Sequence, residues 1–362
     1  MLQLERISIL QFKNYAHQKF NFEDSVVAIS GRNGIGKTNL LDAIYYLSFT
    51  RSYFGGTDAA QTKTGSNGFR VDGRFLISQQ AHEIQIILRE NGKKETACDG
   101  ILYEKFSDHI GKFPVVMIAP DDIELINGSP EIRRKFIDTI LCQTDQLYLK
   151  TLIQYNKILQ QRNSYLKQAA INRHRDNTLL DTLDNLLTEA GNFIYQQRKL
   201  FAPVFRNEIL KFYDAVAGKH EATDFQYYSQ LHNQSLLELL QNNREKDYLL
   251  QRTNHGIHKD NPEILLDEVA FKTRGSQGQK KSMLFALKLA ESSFIEMKKG
   301  HSPILLLDDV FEKLDSNRMH NLLTHICHNT KAQIFLTDTH PERMTNVFNE
   351  MGKKVHSIHI DN

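Results

Sequence analysis

The chain has 362 residues, 40% of them hydrophobic and 24% charged, with a net charge of +2. That balance is ordinary for a globular protein, and the length exceeds one average domain, so a large α/β domain plus a second unit is expected. No apolar run is long enough to span a bilayer, and Met1-Leu-Gln-Leu-Glu lacks the form of a signal peptide, so a membrane role is excluded and a cytoplasmic location expected. Cys98, Cys142 and Cys327 lie far apart with no Cys-x-x-Cys spacing, which reads against a disulfide frame or a zinc site.

In chain order, Leu4, Ile7, Ile9 and Phe12 predict a strand ending in Lys13-Asn14-Tyr15, and 18–22 and 25–30 predict two more. Residues 31–38 read Gly-Arg-Asn-Gly-Ile-Gly-Lys-Thr, the G-x-x-x-x-G-K-[ST] spacing of a P-loop. Leu41, Ile44, Tyr45 and Leu47 then repeat at helical spacing. A strand, a glycine-rich turn and a helix N-terminus in this order surround one anion with backbone N–H groups. Gly31, Arg32, Asn33, Gly34, Ile35 and Gly36 would cradle phosphates. Lys37 would reach the β- and γ-phosphates of ATP, and Thr38 would offer its hydroxyl to Mg²⁺.

A Gly-, Ser- and Thr-rich loop covers 50–68, and 68–77, 82–90 and 93–98 predict an antiparallel meander turning at Asn91-Gly92. Another strand is expected at 113–118. Ser129-Pro130 opens a helical region that continues to about 212, broken at 172–177, with a shorter helix at 236–240. Strands are expected at 263–266 and 269–272, and a helix at 283–299. Residues 304–309, Ile-Leu-Leu-Leu-Asp-Asp, read as a central parallel strand ending in two carboxylates. Asp308 then has the position that binds Mg²⁺, and Asp309 the position that orients or deprotonates the attacking water. Asp315 caps a helix to 329, followed by a strand at 332–337, a helix at 341–349 and a strand at 355–360. One domain is therefore split into 1–120 and 262–362, with a helical lobe at 121–261 inserted.

Ser276-Gln-Gly-Gln279 before the long helix forms a second anion site, where the Ser276 hydroxyl and the Gly278 N–H meet a helix N-terminus. It resembles the signature motif of ABC-type ATPases. Within that class the chain is similar to the RecF family of bacterial recombinational-repair ATPases, on residues 10–15, 31–38, 50–52, 119–138, 256–260, 276–279, 307–309 and 313–315. The resemblance implies an ABC-type P-loop domain of α/β class, a mixed sheet with an antiparallel subdomain, carrying an inserted helical lobe. It implies ATP and Mg²⁺ as cofactors and an ATP-dependent homodimer, in which Ser276, Gly278, Gln279 and Asp315 serve the nucleotide held by the partner's P-loop. It also implies DNA binding at single-strand/double-strand junctions and gaps, and RecR, RecO and RecA as partners. Hydrolysis would be weak and DNA-stimulated, with Lys37, Asp309 and Ser276 in catalytic roles. Ile257 stands where the family has Pro, Asp309 where many ABC enzymes have Glu, and Asp338 follows Thr337 where transporters place a switch histidine.

Between 150 and 220 there are eleven Lys and Arg against six Asp and Glu. Arg162, Arg173 and Arg175 are DNA candidates there, but such an excess also describes a solvated helix face. A transport-type ATPase subunit and a metabolic P-loop kinase remain as other classes. The large inserted lobe weighs against the first and the signature sequence against the second.

Overall fold

The structure, a computed structural model, describes residues 1–309, 316–329, 331–340, 348 and 351–361, with the side chains of 316, 317, 325 and 327–329 outside the description. Asp315, the rest of the 313–315 segment and all but residue 348 of the helix expected at 341–349 lie outside the described residues. The chain forms two compact units: Met1–Ile123, Lys211–His220 and Ser276–Asn362 make one, and Glu124–Leu210 with Glu221–Gly275 make the other.

The first unit holds two sheets. Strands β1 (Leu2–Phe12), β2 (Tyr15–Asn21), β4 (Phe69–Ile77), β5 (Gln80–Leu88), β6 (Lys94–Cys98) and β7 (Ile101–Leu102) form an antiparallel sheet of order β2-β1-β4-β5-β6-β7. Alternation along β4, with Phe69, Val71 and Phe75 buried, faces one side of this sheet to the core. Strands β3 (Val26–Ser30), β8 (Val115–Ile118), β12 (Ile304–Leu307), β13 (Ile334–Asp338) and β14 (His356–His359) form a parallel sheet of order β14-β3-β13-β12-β8. Every residue of β3, β8, β12 and β13 is buried, as unbroken apolar runs require in a sheet covered on both faces. Helix α1 (Lys37–Phe49) touches β1, β4 and β5 of one sheet and β8 and β13 of the other. Leu40, Leu41, Ile44 and Leu47 of α1 join Val27, Ile29, Leu306 and Phe335 in one core. The P-loop helix is thereby held on both sides.

The second unit carries α2 (Glu124–Asn127), α3 (Pro130–Thr144), α4 (Gln146–Asn172), most of α5 (Asn177–Ala217), α6 (Leu236–Asn242), α7 (Arg244–Leu250) and α8 (Phe271–Arg274). Asp145 caps α4 by accepting from the N–H groups of Leu147 and Tyr148. A three-stranded sheet of order β11-β10-β9 joins β9 (Thr223–Tyr228), β10 (Asn261–Leu266) and β11 (Val269–Ala270). β9 is absent from the sequence reading, and it explains a difference in the division of the chain. β10 pairs with β9 from Asn261↔Tyr228 to Leu266↔Thr223, so the contacts of 262–275 belong with the helices rather than with the nucleotide-type halves. The strand expected at 269–272 stops at Ala270, because the chain coils into α8 and buries Phe271.

The first unit closes with α9 (Gln277–Lys299) and α10 (Ser316–Asn329). α9 begins six residues earlier than the apolar pattern predicts. Ser276 caps it, so the signature stretch is the first turn of the helix.

Candidate active site

The P-loop lies between β3 and α1, and its glycines are positioned by what presses on them. Gly31, Gly34 and Gly36 all have φ in the left-handed region, at 151°, 79° and 122°. A Cβ on Gly36 would lie 2.5 Å from Asn14 Nδ2, and one on Gly31 would lie 2.8 Å from the Ile360 carbonyl oxygen. Only glycine satisfies both the conformation and the approach there. The Asn14 contact comes from a two-residue turn, Lys13-Asn14, whose flanking residues Phe12 and Tyr15 pair. Asn14 Nδ2 donates to the Ile35 carbonyl at 2.7 Å and Asn14 Oδ1 accepts from Asn39 Nδ2 at 2.7 Å. The Tyr15 hydroxyl donates to the Gly36 carbonyl at 3.0 Å. The Lys13-Asn14-Tyr15 end of β1 is therefore a brace for the phosphate-type loop, a role that sequence reasoning did not assign.

Lys37 is buried, and its Nζ donates to the carbonyls of Gly31 at 2.9 Å and Arg32 at 3.2 Å. Next to it, Thr38 Oγ1 donates to the Asp308 carboxylate at 2.9 and 3.0 Å. Asp308 follows β12 and is 4% exposed, and its carboxyl pKa lies above the ordinary value because burial disfavours the charge. Hydrogen bonds from Thr337 and Thr38 pull it back toward the ionised form. An oxygen-only donor pair of this kind fits Mg²⁺, a hard cation that takes one or two protein oxygens beside substrate phosphates.

Thr337, on β13 between β3 and β12, was not singled out from the sequence. Its hydroxyl donates to Asp308 Oδ1 at 2.8 Å and accepts from the Asp309 N–H at 2.9 Å. Asp309 has φ 47°, in the left-handed region where non-glycine residues are strained. Beyond Thr337, Asp338 is buried and accepts from the His340 N–H at 3.0 Å, while the His340 side chain is exposed.

The signature turn has its own geometry. Ser276 Oγ accepts from the Gln279 N–H at 3.3 Å and Gln279 Oε1 accepts from the Ser276 N–H at 2.8 Å, a complete capping box. The hydroxyl is used as an acceptor, so its proton remains able to donate. A Cβ on Gly278 would meet the guanidinium of Arg318 on α10, the movable end of a long side chain. A cavity of about 230 Å³ is lined by Ile118, Ala119, Pro120, Ile123, Gln277, Lys281, Leu284, Phe285 and Asp308. It joins the magnesium-type carboxylate to the first turns of α9.

The DNA candidates separate. Arg162 is fully buried, with Nε 2.7 Å from Asp184 Oδ1 and Nη1 2.7 Å from Asp247 Oδ2, so it is a core residue and not a phosphate contact. Its charge counted toward the basic excess only because burial is invisible in composition. Arg198 is buried in the same way against Asp138 and Asp260. Arg173 is exposed at the αL C-cap of α4. Arg175 is half-exposed, ion-paired with Glu245 at 2.9 Å and stacked 4.2 Å from the Tyr248 ring centroid.

The model of the RecF/RecN/SMC N-terminal domain matches residues 3–359. The DNA replication and repair protein RecF of Flavobacterium johnsoniae is 40% identical over 94% of this chain and 95% of its own. A solved structure of the recombination mediator protein RecF with ATP, in the RecFOR pathway, is 30% identical with TM-score 0.87, covering 94% of this chain and 92% of that one. The Smc head domain of Pyrococcus furiosus, at 15% identity and TM-score 0.56, shares the fold. Among the described residues, no helix is long and apolar enough to cross a membrane.

Proposed function

The chain belongs to the RecF family of the RecF/RecN/SMC N-terminal-domain proteins, and we propose that it is an ATP-driven DNA clamp of replication and repair. The observation that carries this reading is the 2.9 Å contact between Thr38 and Asp308, two motifs 270 residues apart closed over a P-loop. Lys37 and the loop N–H groups from Gly31 to Gly36 hold the phosphates of ATP, and Thr38 and Asp308 hold Mg²⁺. When bound, the metal neutralises charge on the β- and γ-phosphates. Asp309 orients the attacking water and takes its proton.

Ser276, Gly278 and Gln279 receive the γ-phosphate of a nucleotide held by a second copy, with Asp315 as a further nucleotide-binding residue, so ATP closes a homodimer. The clamp engages DNA near single-strand/double-strand junctions and works with RecR and RecO to load RecA. A slow, DNA-stimulated hydrolysis resets it. Arg173 and Arg175 on the second unit contact DNA phosphates. A buried lysine facing phosphate is the part of this scheme most directly tested. Lys37→Ala should weaken ATP binding, measured by calorimetry, by about 2–3 kcal/mol, and ATP-dependent retention on gapped DNA should be lost with it. Wild-type ATP affinity in that variant would overturn the nucleotide site. Turnover that ignores DNA and protein concentration would favour a metabolic kinase instead.

A further inference from the structure

Away from the nucleotide site, the antiparallel sheet gathers a second set of chemically able side chains. β5 and β6 pair Ile84 with Cys98, so His82, two residues before Ile84, shares a face with Cys98. β6 turns into β7 through Asp99-Gly100, with φ 52° and 80°, and this tight turn folds the Asp99 carboxylate back over the strands. Asp99 Oδ1 accepts from the Glu83 N–H at 2.8 Å. Asp99 Oδ2 lies 2.9 Å from His82 Nδ1 and 3.6 Å from Cys98 Sγ. One ligand atom from each of the three lies within 4.8 Å of the others.

Lys112 Nζ lies 3.1 Å from the Tyr103 hydroxyl, and an ammonium only donates, so the Tyr103 proton points elsewhere. Tyr103 is hydrogen-bonded to Cys98, which lines up ammonium, phenol and sulfur. The His82 ring also packs at 6.0 Å from Phe113, which fixes its direction.

We propose that His82, Cys98 and Asp99 bind one borderline-soft divalent cation, Zn²⁺ being the best match to the N, S and O donors. Tetrahedral Zn²⁺ with bonds of about 2.0–2.3 Å sets ligand atoms about 3.3–3.7 Å apart, within a small side-chain adjustment of the spacings found. Water completes the fourth position. On binding, the thiol proton leaves to solvent and the metal–sulfur bond forms in its place. Hydrogen bonding alone explains the choice of residues poorly, since a thiol is a weak donor and a half-exposed His–Asp pair contributes about 1 kcal/mol or less. Spacing rules miss such a site because its ligands come from two strands and a turn, not from one Cys-x-x-Cys segment. The metal would staple β5, β6 and β7 at this end of the sheet.

Titration of the full chain with Co²⁺ tests the site. One equivalent should bind with a thiolate-to-cobalt charge-transfer band and be displaced by Zn²⁺. Cys98→Ser should lose the band, and His82→Ala and Asp99→Asn should weaken binding at least as much as loss of an outer-shell partner does, roughly ten-fold or more. Tyr103→Phe should keep the band and weaken binding about 10- to 100-fold. Thermal melts of each variant separate lost folding from lost binding. Absence of the band in the wild type, its survival in Cys98→Ser, or wild-type affinity in folded His82→Ala would each overturn the site.

Discussion

Thr337 and Arg162 show, residue by residue, what a chain reading finds and misses. The P-loop and Asp308 could be paired from sequence because their chemistry demands fixed types at fixed spacing, and Thr38 does contact Asp308, but Thr337 belongs to no motif and bonds Asp308 from the neighbouring strand. Thr337→Val keeps the volume and removes both hydrogen bonds, to Asp308 and from Asp309. Urea unfolding should report a loss of about 1–3 kcal/mol, and turnover should fall more than ATP affinity. Unchanged turnover and stability would mean that Thr38 alone suffices to hold Asp308. Arg162 errs in the other direction, since its identity read as surface charge while the fold buries it between Asp184 and Asp247. Arg162→Ala leaves two buried carboxylates without their cation and should cost on the order of 3–5 kcal/mol. Arg173→Ala, on exposed ground, should change stability by about 0.5 kcal/mol or less. If it touches DNA phosphate, it should lower the slope of log affinity against log salt by about 0.9. Denaturant midpoints and salt titrations of the two variants should therefore move in opposite patterns, and equal stability would refute the buried-pair argument.

At the scale of elements, long periodic segments were recognised and their ends were not. α9 was foreseen from Met283, because the polar Gln277–Lys281 turn carries no apolar signal, whereas the Ser276–Gln279 capping box marks its true start. The same helix holds a device that no sequence pattern announces. Lys288 and Glu291 are buried one turn apart on it, and Lys288 Nζ lies 3.4 Å from Asp122 and 3.7 Å from Glu291. The Tyr53 hydroxyl donates to Asp122 and accepts from Lys288 Nζ at 3.1 Å. Asp122, which also accepts from the Ala119 N–H, is the nearer partner and takes the ammonium. Glu291 is left with too little compensation, and burial raises its carboxyl pKa from 4.5 to about 7. The folded chain then keeps a proton that the unfolded chain releases above pH 4.5, so this group's contribution is full below 4.5 and is lost as pH rises through about 7. Glu291→Gln cannot ionise, so it should gain stability relative to wild type between pH 5 and pH 8. Urea midpoints at both values measure this, and a difference independent of pH would show that Glu291 is ionised throughout.

For the whole molecule, the sequence expectation of a split domain rests on Gly31–Thr38 and Asp308 being far apart in sequence yet useful only together, and the structure groups 1–123 with 276–362 in one unit. The division at Gly275 was not legible, since it depends on β9, a short strand of mixed polarity found by its pairing with β10. One consequence belongs to two molecules rather than one. Ser276 is an exposed N-cap on a helix of 23 residues, with a hydroxyl proton to donate at a helix N-terminus. If that turn receives a partner's γ-phosphate, each ATP joins two chains, and ADP, which lacks that phosphate, joins none. Ser276→Arg should leave ATP binding to the monomer near wild type, because Lys37 and Thr38 are untouched. It should abolish dimer formation and turnover, because a bulky side chain then fills the space meant for phosphate. Mixing this variant with Lys37→Ala gives a heterodimer with one composite site intact and the other missing both motifs, so dimerisation should return in part. Sedimentation velocity with a slowly hydrolysed ATP analogue reads all three cases. A Ser276→Arg chain that dimerises like wild type would refute the sandwich and leave a P-loop ATPase that works alone.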